Sequence, residues 1–397
     1  MKIVAGLSRI DDYIRLVKAG ADEVFIGYVP YKWTKKYGNL FPINRREVLY
    51  FNAQIKSLSD MKILKKMVDV YKVPVSITFN NIYYLEEQYA YIAEIIKELI
   101  GIGFEKFIIA DISLLLYLKQ HNIHCSVHLS GECAETNRLS MKFFKDLNIT
   151  RYIFNRKTTV DEMKSCINYS KSILNSSNAE LENFDLKDKA ITNPKPVNYD
   201  VEKMKKLIES KAINEVKSDV DETKSLISAY DSSKDNDYEF EAFVLNERCH
   251  YTGAFCSSFH CDEMIHLCEM PYSMGKVDEF SFDFPETDEK LEKHYESRQD
   301  SDFNEEDIKP QDLDVYKLGS TGCGLCSLKK LQMSGVTHLK VVGRGNYIEN
   351  MEEDVRSLKK AISLLDKTDD CKKYETVVKK KFFKGKCTEN CYYNNEI

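Results

Sequence analysis

The strongest constraint on the fold is a unit that recurs four times along the chain. Each copy has a helix-period stretch, a tight turn and a short apolar strand. The turn is at Gly or Asn, which suits the left-handed residue that closes a helix. The four copies are AGADEVFIG (19–27), IGFEKFIIA (102–110), LNITRYIFN (147–155) and SGVTHLKVVG (334–343), with turns at Gly20, Gly103, Asn148 and Gly335. The repeat indicates strands that alternate with helices.

Four further apolar runs bring the number of predicted strands to eight. They are KIVAGL (2–7), VSITFN (75–80), HCSVHL (124–129) and EFEAFVL (239–245). Continuous apolar strands between helices are typical of a parallel sheet covered on both faces, and eight of them predict a closed (β/α)8 barrel of the TIM type. An open doubly wound α/β sheet is the alternative.

Two segments interrupt this rhythm. Residues 172–238 are rich in Ser, Asn, Asp and Lys, and they predict a mobile insertion between strands six and seven that is a candidate for docking a partner protein. Residues 277–314 are strongly charged, which favours a solvated surface excursion. The chain is therefore divided into the first six β/α units (1–171), the insertion (172–238), the last two units (239–365) and a tail (366–397).

Charge and apolar patterning limit the class of protein. The net charge of -6 and the pI near 5.9 argue against a mainly electrostatic grip on nucleic acid. The N-terminal apolar run is too short for a signal peptide, and no run approaches a membrane span, so we expect a soluble cytoplasmic protein with no membrane partner. In that compartment the twelve cysteines favour thiols, metal ligands or cluster ligands over disulfides.

Polar side chains follow the predicted strands, at the end where a (β/α)8 barrel carries its active site. They are Asn80, Asn81, Asp111, His128, Ser130, Asn155, Arg156, Asn246 and Arg344. Arg156 and Arg344 offer planar guanidinium groups to a carboxylate or phosphate, so the rim is expected to bind an anionic molecule. Several others are equally well explained as helix caps. His128 is either a hydrogen-bonded core residue or a functional one.

The cysteines are concentrated in two places. Cys249 and Cys256 have a C-x6-C spacing and are followed by Cys261 and Cys268, while Cys323 and Cys326 begin a later helix. Four thiolates are what a [4Fe-4S] cluster needs, and a structural zinc ion also takes four. The spacing alone leaves cluster, zinc and scattered thiols open.

At these residues the sequence resembles the collagenase-like peptidase family U32, over most of its length. The segment EAFVLNERCHYTGAFC (241–256) is similar to a family strand followed by a Cys, a small-residue turn and a second Cys. HLSGECAETN (128–137) resembles the family's His-Ala-Ser-Thr-Gln segment, FNRKTTVDEM (154–163) its Arg-Glu-Leu-Ser segment, and GVTHLKVVGR (335–344) its closing motif. The matching residues are His128, Ser130, Asn137, Arg156, Gly335, Lys340, Gly343 and Arg344.

The resemblance implies a cofactor and a reaction class. Members of this family are barrel proteins that hold a [4Fe-4S] cluster through four cysteines, and several support oxygen-independent hydroxylation of ubiquinone precursors, ribosomal RNA or transfer RNA. Carried over by position, it implies Cys249, Cys256, Cys268 and Cys323 as the cluster ligands.

The sequence also departs from the family pattern. Tyr272 replaces a Cys, which leaves Cys261 and Cys326 as substitute ligands, and Gly131 and Glu132 replace Thr and Gln beside His128. The tail pair Cys387 and Cys391 is interpreted as two thiols of a frayed terminus, with a redox or auxiliary metal site as the alternative.

The leading hypothesis is an iron-sulfur enzyme that hydroxylates or otherwise redox-modifies a small anionic molecule, an RNA or a peptide. His128, Arg156 and Arg344 are its candidate catalytic residues. The first alternative is a peptidase, although the chain has neither an H-E-x-x-H nor a G-x-S-x-G motif. The second is a non-catalytic cluster protein that works with a partner enzyme.

Overall fold

A computed structural model describes residues 1–38, 41–45, 54–133, 136–144, 147–175, 238–249, 316–388 and 390–393. Both segments that interrupt the predicted rhythm, the insertion 172–238 and the charged excursion 277–314, lie largely or wholly outside these ranges. The described parts of Met1–Ser170 and Tyr238–Ile397 form one compact unit.

Eight parallel strands close into a barrel in chain order, which confirms the (β/α)8 prediction. The strands are β1 Lys2–Leu7, β2 Glu23–Gly27, β3 Val75–Phe79, β4 Lys106–Ile109, β5 Ser126–Leu129, β6 Ile149–Ile153, β7 Glu239–Leu245 and β8 His338–Val341. Closure is made by β1, which pairs Val4 with Glu23 of β2 and Lys2 with His338 of β8. Because both faces of each strand are covered, strands such as β2 and β3 are buried at every position.

The helices surround this barrel. They are α1 Tyr13–Ala19, α2 Tyr31–Tyr37, α3 Leu58–Tyr71, α4 Glu86–Ile102, α5 Ile112–Gln120, α6 Arg138–Phe144, α7 Val160–Asn175, α8 Leu328–Ser334, α9 Ile348–Ile362 and α10 Cys371–Phe383. The turns expected between helix and strand are confirmed, because Gly20, Gly103, Asn148 and Gly335 all have positive φ. No helix in the described part of the chain is both long and apolar enough to cross a bilayer.

The C-terminal segment is built into the molecule instead of fraying. Helix α10 buries Tyr374 and Val378, and the Tyr374 hydroxyl donates to the carbonyl of Ala361 at the end of α9 (2.9 Å). Beyond it, Cys391 pairs with Cys323 through two backbone hydrogen bonds, Cys323 N to Asn390 O and Tyr392 N to Cys323 O, both 2.8 Å. The expectation of a frayed terminus is therefore wrong for residues 390–393, since these backbone groups are satisfied by the barrel.

Candidate functional site

A cavity of about 60 Å³ opens at the carboxyl ends of the strands, where a (β/α)8 barrel is expected to carry its site. It is lined by four cationic side chains, two carboxylates and two aromatic rings, among others. These are Arg45, Arg156, Lys340, Arg344, Glu132, Glu247, Phe25 and Phe243. Its size suits one functional group of a ligand, since whole small-molecule pockets are roughly 300–1,000 Å³. Cations outnumber carboxylates among these lining side chains.

Arg156, which follows β6, is held over the cavity by charge and by an aromatic face. Its Nη1 donates to Glu132 Oε1 (2.7 Å), while Arg45 Nη1 lies 3.4 Å from the other oxygen of the same carboxylate. Its guanidinium carbon lies 4.2 Å from the ring centroid of Phe243. Its Nε is buried and has no hydrogen-bond partner among the described residues. Arg156 therefore presents one donor that this part of the protein does not satisfy.

Arg344, which follows β8, reaches across the barrel to neutral partners. Its Nη1 donates to Thr78 Oγ1 (3.2 Å) and to Gln54 Oε1 (3.4 Å). Gly27, the last residue of β2, leaves room for this approach. A Cβ at Gly27 would lie 2.4 Å from Arg344 Nη1 and 1.6 Å from Gln54 Oε1. Arg344 can therefore take this position only because residue 27 is a glycine.

Lys340, on β8, forms the floor of the cavity. Its Nζ donates to Glu241 Oε1 (2.6 Å) and lies 4.0 Å from the ring centroid of Phe25. Burial lowers the pKa of Lys340, against the opposing pull of Glu241. The closing family motif is therefore present as two adjacent cations in the site, Lys340 and Arg344.

His128 lies inside the barrel and does not line this cavity. It is 1% exposed, and its Nδ1 lies 3.4 Å from Ser76 Oγ. Burial, reinforced by Arg151, lowers the pKa of His128 well below its ordinary value. The imidazole is consequently neutral at physiological pH and belongs to the interior layer of the barrel.

The other predicted rim residues divide between the cavity and local structure. Asn80 and Ser130 line the cavity. Asp111 caps α5 by accepting from the backbone N–H groups of Ser113 (2.6 Å) and Leu114 (3.3 Å). Asn155 joins two loops by donating to Gly131 O (2.9 Å), and Asn246 donates to Asp354 Oδ2 of α9 (2.6 Å). Those three side chains position backbone, and none of them lines the cavity.

A buried ionic network crosses the opposite half of the barrel. Arg151, fully buried on β6, contacts Glu23 (2.9 Å), Glu239 (2.6 Å) and Glu241 (2.9 Å). Among the described residues, Glu23, Glu239 and His338 are also the only group that brings three metal-ligating atoms within 4.8 Å of one another. Because the Arg151 guanidinium already supplies positive charge to both carboxylates, this group is an ion-pair network and not a metal centre.

The predicted cluster ligands are only partly covered by the structure. Cys256, Cys261 and Cys268 lie outside the described residues. Cys249 and Cys323 come from segments that pair at the carboxyl end of β7, through Asn246 N to Gly322 O (2.9 Å) and Arg248 N to Thr321 O (2.7 Å). The pairing brings the segments of both predicted ligands to the same end of the barrel. Burial raises the pKa of the Cys323 thiol to about 12.

A second cavity, of about 180 Å³, lies beneath the tail. Four cysteine side chains line it: Cys323, Cys326, Cys387 and Cys391. The thiol-lined cavity is close to the cationic cavity. Tyr393 lines the thiol-lined cavity and donates a hydrogen bond from its hydroxyl to the carbonyl of Phe243 (2.6 Å), and Phe243 lines the cationic cavity. One layer of residues therefore joins the thiol-lined cavity to the cationic one.

Sequence reasoning missed several residues of the cationic cavity. Arg45 lies in a loop with no pattern that would indicate it, and the facing rings of Phe25 and Phe243 are indistinguishable in sequence from core residues. Glu132 was visible as a departure from the family pattern, and its carboxylate now proves to bridge two arginines. The alternation of side chains along β8 could have placed Lys340 inside the barrel.

A closed parallel barrel with a cationic cavity at the carboxyl ends of its strands defines a (β/α)8 protein with its site in the position usual for that fold. Residues 8–185 match the model of peptidase family U32, in agreement with the resemblance read from the sequence. No curated protein matches the chain.

Solved structures similar to this chain are distant. A U32 peptidase is 10% identical, over 43% of this chain and 65% of its own, with a TM-score of 0.32. Native KDPGal is 8% identical, over 93% of this chain and 97% of its own, with a TM-score of 0.36. Dihydrodipicolinate synthase from Bacillus clausii is 11% identical, over 42% and 57%, with a TM-score of 0.25. The matched part covers less than two thirds of the U32 peptidase chain.

Proposed function

We propose that the protein is an iron-sulfur enzyme that redox-modifies a substrate carrying an anionic group, by oxygen-independent hydroxylation or a related reaction. The observation that carries the binding part is the buried Nε of Arg156, which has no partner among the described residues and belongs to a side chain that lines the cationic cavity. An unsatisfied buried donor costs about 1–3 kcal/mol. An oxygen of a bound carboxylate or phosphate would remove that cost.

The surrounding charges support an anion and not a cation. Four cationic and two acidic side chains line the cavity, and one of the acids, Glu132, is shared by Arg45 and Arg156. Arg344 contacts the neutral acceptors Thr78 and Gln54. An anion between Arg156 and Arg344 would gain charge-assisted hydrogen bonds from both guanidinium groups.

The cofactor follows from the resemblance and from the donor chemistry. A bound [4Fe-4S] cluster supplies one-electron transfer and an iron atom to which a substrate could bind. The resemblance predicts four ligands, Cys249, Cys256, Cys268 and Cys323. The structure describes Cys249 and Cys323, which come from paired segments at the end of the barrel that carries the cationic cavity. Thiols at this end are the donors that such a cluster takes.

A peptidase is less well supported by the cavity. Among the described residues, no histidine or cysteine lines it, so the described lining offers neither a Ser–His nor a Cys–His pair. His128, the candidate catalytic histidine in the sequence, is buried inside the barrel beside Ser76.

The proposal is tested with protein purified without oxygen. We expect brown protein that loses about four irons per chain in C249S and none in the control C125S. In cells that lack the gene, a complementing copy should restore a product one oxygen atom heavier among the RNA nucleosides, peptides or small acids. R156A and R344A should retain the iron and fail to restore that product.

Two results would reject the proposal. One is anaerobic protein that contains stoichiometric zinc and no iron. The other is cleavage of a peptide substrate by C249S protein from which all iron has been removed, which would favour the peptidase.

A further inference from the structure

Of the four cysteines that line the thiol cavity, only Cys323 is given a role by the family resemblance. Of its four cysteines, Cys323 and Cys326 have a C-x2-C spacing and start near α8, whereas Cys387 and Cys391 follow α10 and have a C-x3-C spacing. The two pairs are brought together by the backbone pairing of Cys323 with the tail. We propose that these four cysteines hold an iron-sulfur cluster, so that the C-terminal tail supplies half of the ligands of a metal centre.

The dimensions of the site favour a polynuclear group over a single ion. A tetrahedral zinc ion with Zn–S bonds of 2.3 Å sets its sulfurs about 3.8 Å apart. Among the described residues, which include all four of these cysteines, no three cysteine sulfurs lie within 4.8 Å of one another. The cavity of about 180 Å³ is several times the roughly 30 Å³ that one water molecule occupies in the liquid. Four thiolates around a space of this size match the ligand set of a [4Fe-4S] cluster.

The other lining residues also fit a negatively charged, sulfur-rich group. Lys330 and Lys379 line the cavity and would offset part of the charge of four thiolates. Glu375, which also lines the cavity, forms a salt bridge with Lys379 (2.6 Å). The buried hydroxyl of Thr388 lines the cavity too, beside the thiol of Cys323. It is a donor available to a cluster sulfur.

Assembly is balanced by proton release. Each of the four thiols gives its proton to solvent as its sulfur bonds to iron, and the co-reactants are two ferrous ions, two ferric ions and four sulfide ions, so no further oxidant is needed. In this assignment Cys323 belongs to the tail centre, so a cluster at Cys249, Cys256 and Cys268 would take another fourth ligand, for which the sequence offers Cys261. The inference shares with the proposed function the premise that the protein is loaded with iron and sulfide.

The position of the centre suggests what it serves. Tyr393 lines the thiol cavity, and its hydroxyl is bonded to the backbone of Phe243, a residue that also lines the cationic cavity. A cluster there would lie one layer of residues from the bound anion. That distance suits an electron relay to the site.

The test replaces tail cysteines one at a time in the full-length protein, followed by anaerobic reconstitution with ferrous and ferric iron and sulfide. Cys387 is exposed, so C387S removes a ligand without removing core packing. C371S is the matched control, because Cys371 begins the adjacent helix and does not line the cavity. We expect C387S and C391S to lose about four irons per chain relative to wild type and C371S, with unchanged melting of the iron-free proteins.

The outcomes separate this inference from the proposed function. Wild-type iron content and spectrum in both C387S and C391S would overturn the inference alone and leave the proposed function standing. Loss of one zinc ion per chain from these variants, with iron unchanged, would overturn the cluster in favour of a zinc site. Wild-type protein that takes up no iron would reject both, whereas iron loss from the tail variants without any oxygenated product in cells would reject only the proposed function.

Discussion

At the residue scale, Glu132 sets how much positive charge the cationic cavity presents. Its carboxylate accepts a hydrogen bond from Arg156 Nη1 (2.7 Å), and its other oxygen lies 3.4 Å from Arg45 Nη1. We expect E132Q to tighten the binding of inorganic phosphate about tenfold, because about 1.4 kcal/mol of repulsion is removed and a guanidinium donor is released. Isothermal titration calorimetry of wild type and E132Q measures this. Weaker binding in E132Q would mean that Glu132 is needed to orient Arg156.

Gly27 provides an independent test of Arg344, because it changes the position of the guanidinium and not its charge. A Cβ there would lie 2.4 Å from Arg344 Nη1. We expect G27A to weaken phosphate binding nearly as much as R344A, by tenfold or more. A displaced guanidinium group of Arg344 could no longer donate two hydrogen bonds to one phosphate. G6A is the comparison variant, because its Cβ would approach Arg344 less closely, at 3.0 Å from Cγ, and would lie 3.1 Å from Phe25. A G27A protein with wild-type affinity would show that the arginine adapts without loss.

At the scale of elements, β7 and α9 are joined by a buried acid whose ionisation opposes folding. Asp354 of α9 accepts hydrogen bonds from Asn246 and Tyr316, and burial raises its pKa to about 7, although the bond from Asn246 acts the other way. A carboxyl group with a raised pKa in the folded state stabilises it fully below pH 4. That contribution is lost as the pH rises towards 7.

We therefore expect D354N to be the more stable protein at alkaline pH. Wild type should lose up to about 4 kcal/mol between pH 4 and pH 8 from this group, at about 1.4 kcal/mol per pKa unit. The amide of the variant keeps a donor and an acceptor for the same two neighbours and has no charge to bury. Urea unfolding of both proteins across that pH range measures the difference, and parallel pH profiles would contradict the pKa shift.

How far the sequence specifies each element depends on whether its signal is local. The turns at Gly20 and Asn148 could be predicted because a left-handed residue at a helix end is a property of a few neighbours. The docking of the tail could not, because its contacts, Cys391 with Cys323 and Tyr393 with Phe243, join residues far apart in the chain. Burial of single side chains was equally hidden, which is why His128 could not be assigned to core or rim from its strand position alone.

On the scale of the whole molecule, the barrel separates two kinds of buried charge. At one end, cations exceed carboxylates around the cationic cavity, and the buried Nε of Arg156 has no hydrogen-bond partner among the described residues. Towards the other end, Arg151 is balanced by Glu23, Glu239 and Glu241. Lys340 joins the two regions, since it lines the cavity and contacts Glu241 at 2.6 Å. The paired network joins β2 to β6 and β7 through the interior of the barrel.

This division predicts how the barrel responds to loss of Arg151. Burial would raise the pKa of Glu23, but hydrogen bonds from His338 and Arg151 prevail and lower it; for Glu241 the charges of Lys340 and Arg151 prevail in the same way. R151M leaves buried carboxylates without their main cation, so we expect it to destabilise the protein by about 3–5 kcal/mol at pH 8.

The pH dependence of that loss distinguishes charge from packing. In wild type the lowered pKa values mean that this stability is lost only as the pH falls through the folded-state values, below the ordinary carboxyl range. In R151M the unpaired buried carboxyls should protonate near neutral pH, which removes the uncompensated charge. The difference in unfolding free energy between the two proteins should therefore shrink as the pH falls from 8 to 5, as measured by urea unfolding. A constant difference would mean that Arg151 stabilises the barrel by filling space, and that the carboxylates find other partners.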